Sequence, residues 1–181
     1  MTPLAVGAML LVTVIDLAAA GGRLAGAAAL AAAAVQVARL AQWQGHRTCG
    51  EPLLWVLHLA YLCIPVGLLL KSFALLGLAG WAGGWLHVLT VGAIALMILG
   101  VITRVSLGHT GRALVLPRGI ATAYALLACA AIVRAIGPAQ TVVAYGFTVA
   151  GAAALWTIAF ALFLWRYAAI LWQPRPDGRS G

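Results

Sequence analysis

The sequence predicts an all-α, polytopic membrane bundle of about six transmembrane helices, and three observations lead there. Of the 181 residues, 65% are hydrophobic and only 8% charged, too little polar surface for a soluble globule of this length. Six apolar stretches approach or exceed the roughly 20 residues that a helix needs to cross a hydrocarbon core about 30 Å thick. The basic residues fall between these stretches and divide unequally between the two sides.

The stretches run over 3–20, 23–41, 52–71, 85–103, 118–136 and 139–166. The first ends in small residues, as a signal peptide does, but it lacks a basic leader and Asp16 interrupts it, so it reads as a retained span. Gly21, Gly22 and Arg23 make a tight connection, which pairs spans one and two as a hairpin. Pro52 suits the first turn of span three, and Pro117 and Pro138 stand just ahead of spans five and six. The sixth stretch is longer than a bilayer requires and must tilt or extend into water. The polar QPRPDGRSG that follows divides the chain into a transmembrane domain over 1–172 and a disordered cytoplasmic tail over 173–181. AGAAALAAAA at 25–34 and VAGAAA at 149–154 supply small faces for close helix packing.

Six spans put both termini on one side. Arg39, Arg47, Arg104, Arg112, Arg118, Arg166, Arg175 and Arg179 belong to that side, against Arg23, Lys71 and Arg134 on the other, a ratio of eight to three. The positive-inside rule then makes the terminal side cytoplasmic. Trp43, Trp55, Trp165 and Trp172 mark the inner interface and Trp81 and Trp85 the outer one, although Trp55 and Trp85 serve equally well as fillers between helices. The net charge of +8 forms no patch or arm, so nucleic acid is not an expected partner; the bilayer is. Three cysteines, Cys49, Cys63 and Cys129, give no disulfide framework.

Ionisable groups inside a bilayer are costly and demand a reason. Asp16 is the one acidic residue within a span, and Arg23 across the hairpin is its expected partner. His46, in the loop QWQGHRTCGE, reads as a solvated histidine despite its H-x-x-C spacing with Cys49. His58 and His87 lie within spans three and four, where an imidazole either ligates a metal or bonds a backbone carbonyl. At 1.5 Å per residue, His58 falls roughly 5 Å inward of mid-span and His87 roughly 10 Å outward, so an offset of about 15 Å argues against one shared iron. Met97 falls near the depth of His58 and offers a thioether, or merely fills a gap.

RVSLGHTGR at 104–112 gathers Arg104, His109 and Arg112 where the chain is otherwise almost uncharged. A haem at the depth of His58 would direct its propionates towards Arg104 and Arg112, which can fork onto carboxylates. A loop whose arginines bind lipid phosphates fits the same residues. The glycines around His109 and Thr110 permit a tight turn.

The stretches HLAYLCIPVGLL (58–69) and HVLTVGAIALMILGVITRVSLGHTGR (87–112) resemble the NnrS family, bacterial inner-membrane proteins described as haem- and copper-containing and linked to nitric oxide metabolism and nitrosative stress. His58, His87, Thr103, Arg104, Gly108, His109, Thr110, Gly111 and Arg112 match its characteristic positions. The resemblance implies haem b and copper as cofactors and nitric oxide as a ligand. The candidate cofactor residues of this sequence are His58, Met97, Arg104, His109 and Arg112, with His58 and His87 as candidate metal ligands, and the family pattern does not assign a metal among them. The resemblance implies a multi-pass protein of the bacterial inner membrane, for which the charge asymmetry above places both termini in the cytoplasm. The family's members carry about twice as many spans, so the chain looks like a C-terminal half, and a homo-oligomer or a separate membrane partner is expected to restore missing ligands.

Two other functions compete. A b-type cytochrome subunit for electron transfer needs paired histidines at matched depth, which the offset opposes. A transporter subunit would place His87, Asp16 and Arg23 around an outer cavity, yet no span is broken or repeated in inverted form. The sequence shows no nucleophile beside a base, no phosphate loop and no zinc-protease motif, so catalysis is not supported.

Overall fold

Long runs of alanine, leucine and valine can satisfy their backbone polar groups in lipid only within the segment, and they fold as helices throughout the computed structural model, which describes residues 1–18, 22–137, 142–176 and 178. Among the described residues there are six: α1 (Thr2–Leu17), α2 (Arg23–Gln42), α3 (Pro52–Leu75), α4 (Gly80–His109), α5 (Ile120–Ile136) and α6 (Val142–Trp172). Four of these, α2, α3, α4 and α6, are long and apolar enough to cross a membrane; α1 and α5 are shorter apolar helices. Gly21, Pro138, the start of the sixth predicted span at 139 and Arg179 in the tail lie outside the described residues.

Local chemistry explains most of the boundaries. Pro52 occupies the first turn of α3, and Gly119, at φ 89°, caps α5 two residues after Pro117. α4 is longer than its predicted span at both ends and is composite. A 3₁₀ segment (Gly80–Gly84) and one α turn (Trp85–His87) lead into a π-helix (Val88–Ala95), and an α-helix (Leu96–His109) completes it. The expected overlength of the last helix is borne out, since 31 residues rise about 46 Å.

α3 is the axis of the bundle. On one side the α1–α2 hairpin packs against it through Val12, Ala32, Ala33 and Leu68. Ala25, Ala29, Ala32 and Ala33 are buried at helical spacing, so the alanine run of α2 is a contact face. On the other side α3 to α6 enclose the larger core around Val56, Leu96, Leu99, Tyr124, Leu127 and Tyr167. Gly67 and Gly92 let α3 and α4 touch, because a Cβ there would stand 2.5 Å from Leu89 Cδ2 and 2.9 Å from Cys63 Sγ.

The intramembrane charge is paired differently from expectation. Asp16 accepts a short charge-assisted hydrogen bond from Lys71 on α3, not from Arg23. Lys71 Nζ also lies 5.0 Å from the centre of the Trp85 ring. Trp85 therefore acts in a helix contact, and Trp55 does too, its ring centre 6.0 Å from that of Tyr124 in a T-shaped pair. Sequence distance favoured Arg23, but the packing of α1 and α2 on α3 brings Lys71 to Asp16.

Candidate metal centre at the α2–α3 connection

α2 stops at Gln42, and the chain reverses through Gln44 in the left-handed region (φ 51°) into a 3₁₀ turn, Gly45–Thr48. Thr48 Oγ1 closes that turn on Gly45 O at 2.7 Å, and Glu51 N donates to Thr48 O at 2.8 Å before Pro52 starts α3. This compact return lays Gly45 against the His58 ring. A Cβ on Gly45 would come within 2.7 Å of His58 Cδ2, so glycine is required by the close approach.

His58 is half-buried and oriented. Its Nδ1 lies 3.0 Å from Leu54 O, one helical turn back. A carbonyl oxygen only accepts, so Nδ1 is the donor, and in the neutral imidazole this tautomer leaves the lone pair on Nε2. The Trp43 ring stands edge-on 6.0 Å away. The same histidine lines a cleft of about 340 Å³ with His46, Cys49 and Trp55, between aliphatic walls that include Leu40 and Leu59. Two imidazoles and a free thiol thus share one cleft. Among the described residues no three histidine, cysteine or acidic side chains close on a common point; these three line the cleft instead of enclosing an ion.

The other sequence candidates lie elsewhere. His87 is half-buried where the α turn of α4 passes into the π-helix, facing the charge of Arg134 on α5. Met97 lines a wholly apolar groove of about 610 Å³ with Met9 and Ile64, a different cavity from that of His58. Arg104 is half-buried on the last turns of α4. His58 and Met97 do not share a cavity, and neither Arg104 nor Arg112 lines the His58 cleft.

RVSLGHTGR has a structural role at this end of α4. Gly111 adopts φ 67°, Arg112 N donates to Leu107 O at 3.0 Å and Gly111 N to Gly108 O at 3.2 Å, the two bonds of a Schellman cap. Thr110 Oγ1 adds a bond to Ser106 O at 2.7 Å. The cap also receives the end of α6: Arg175 Nη1 donates to His109 O at 2.8 Å, and Arg112 Nη2 to Gln173 Oε1 at 3.3 Å. Thr103, fully buried, bonds Gly100 O and the Tyr124 hydroxyl, joining α4 to α5.

His46 and Cys49 are exposed on the turn, in keeping with the solvated reading of His46; what the sequence did not show is that both line the cleft of His58.

The sequence model of a protein family, described as NnrS protein, matches residues 1–175 and so runs through all six helices. No curated protein and no solved structure matches the chain.

Proposed function

The chain belongs to the NnrS family, membrane proteins of the nitric oxide response, and from that premise we propose that it binds copper at the α2–α3 connection and contributes to nitrosative-stress resistance. The observation that carries this reading is the orientation of His58. Its Nδ1 is committed to Leu54 O, which leaves Nε2 as the ligating nitrogen in a cleft that also holds His46 and Cys49. A backbone carbonyl behind a metal-binding imidazole is the usual second partner of such ligands. Imidazole with thiolate is a donor set suited to copper. His46 and Cys49 stand on the short 3₁₀ connection, which must draw inward for all three to reach one ion. Bound copper would supply a redox-active ion able to take nitric oxide as a ligand.

Haem fits these residues less well. The donors it calls for, His58 and Met97 with Arg104 and Arg112 on the propionates, do not line one cavity. The eight-to-three arginine and lysine distribution supports a place in the bacterial cytoplasmic membrane with both termini inside.

Metal analysis of the purified full-length protein, with its absorption spectrum, tests the reading. Copper near one ion per chain that falls about tenfold or more in affinity in His58→Ala and His46→Ala supports it. Copper retained in both variants, or a Soret band lost with His58, overturns it.

A further inference from the structure

A second cleft, of about 260 Å³, opens where α1, α2 and α3 meet. Its floor is polar. Gln36 Nε2 donates to Ala5 O at 3.2 Å and Gln36 Oε1 accepts from the Tyr61 hydroxyl, while Arg39 Nη1 donates to that hydroxyl at 3.2 Å. The Arg39 guanidinium lies over two adjoining aromatic rings, 5.2 Å from the Trp43 ring centre and 5.5 Å from that of Tyr61, the rings themselves standing 4.5 Å apart. None of these partners carries negative charge. Among the described residues the one ion pair is Lys71 with Asp16, and Arg39 Nε is buried without an acceptor. A guanidinium this well held, beside a cleft and lacking an anion, is an incomplete site.

The remaining walls identify what completes it. Val6, Met9, Leu10 and Ile64 are apolar, and Met9 and Ile64 also line the groove of about 610 Å³ that continues past Leu89 and Met97 along α4. The cation lies three residues from the end of α2, level with Ala5 near the start of α1, and the apolar groove leads from there into the span. A fixed cation at the rim of a long apolar groove is complementary to an amphiphile with an anionic head.

We propose that the two clefts together bind one anionic phospholipid. Its phosphate takes Arg39 at Nη2, which the Tyr61 bond leaves free, and one acyl chain runs over Met9 and Ile64 into the groove. The lipid fastens the α1–α2 hairpin to α3 and α4, and it does so independently of any metal.

Native mass spectrometry of the full chain in mild detergent, extracted from bacterial membranes, reads the occupancy. One anionic phospholipid per chain is expected, falling about tenfold in Arg39→Gln and unchanged in Arg47→Gln, whose arginine is exposed on the nearby turn. Ile64→Trp, which keeps the cation and fills the groove, should lose the lipid as well, and this separates binding from any folding defect of the Arg39 variant. Reconstitution supplies the second arm. Vesicles of phosphatidylcholine with phosphatidylglycerol should raise the thermal midpoint of the wild type above that in phosphatidylcholine alone, and inorganic phosphate in detergent should not. Equal stabilisation by inorganic phosphate overturns the lipid assignment in favour of a free anion. A porphyrin retained in place of a phospholipid, or lipid retention indifferent to both Arg39→Gln and Ile64→Trp, also overturns it.

Discussion

Replacing Asp16 with alanine removes the counter-charge of an ammonium that the fold has already taken out of solvent. The Lys71 side chain is 6% exposed and that of Asp16 42%. Breaking a buried ion pair from one side costs about 3–5 kcal/mol, because the surviving charge stays desolvated. Two features reduce the figure here: Asp16 is itself partly exposed, and Lys71 keeps the Trp85 face, an interaction of about 0.5–2 kcal/mol. A net loss of about 2–3 kcal/mol follows, and for a chain of this size each kcal/mol moves the midpoint by about 2–4 °C. Thermal unfolding in detergent should therefore show Asp16→Ala about 5–10 °C below wild type. The double variant Asp16→Ala/Lys71→Met, which removes the stranded charge, should recover more than half of that. A single variant within about 1 °C of wild type, or a double variant no better than the single, would refute the reasoning, since it would mean that the Lys71 ammonium does not depend on Asp16.

Four further outcomes are expected. Gly45→Ala pushes a methyl into the His58 ring and should lower copper affinity by about 10–100-fold with the fold retained, whereas Gly50→Ala, which has open space around it, should not; equal copper titrations for the two would sever Gly45 from the site. His87→Ala should leave copper content unchanged, because His87 does not line the cleft of His58; a parallel loss in metal analysis would join the two histidines in one centre. Gly84→Ala places a methyl 1.8 Å from Ala135 O, an overlap with backbone, and should destabilise by about 1–3 kcal/mol or more in thermal unfolding, with no change in midpoint showing that α4 and α5 are not in contact there. A reporter active only outside the cytoplasm should stay silent when fused to the C-terminus, and its activity would invert the topology.

The helices were legible because their cause is local. Apolar length, Pro52 in a first turn and Pro117 ahead of α5 act within a few residues, and each stands at the boundary it foretold, while Gly111 of GHTG makes the expected turn six residues or more beyond the predicted end of its span. The ends of α4 were harder to place. A glycine-rich 3₁₀ segment, an α turn and a π-helix follow one another with no capping side chain to separate them, and the close approach of Gly67 and Gly92 to residues of the facing helix belongs to the α3–α4 contact as much as to α4 itself. The candidate site divides in the same way. His58 stood out because an imidazole inside an apolar run needs a reason, and that reason is visible in its own helix through Leu54 O. His46 and Cys49 looked like loop residues, and only the 3₁₀ return over α3 brings them to the same cleft. Arg104 and Arg112 stood out for their charge, yet Arg112 serves the helix cap and the end of α6.

Composition and the length of its apolar runs determined an all-α membrane chain and its six helices, and the resemblance carried by HLAYLCIPVGLL and the run ending in LGHTGR pointed to its NnrS family. Tertiary structure alone decided which charges and ligands meet. Asp16 lies seven residues from Arg23 in sequence and 55 from Lys71, yet it pairs with Lys71. Hydrophobicity requires a helix to lie in lipid but does not say which face turns to which neighbour. Those rotations are set by small-residue contacts such as the alanine face of α2 and Gly92 against Cys63, and they choose among partners that the sequence leaves equivalent.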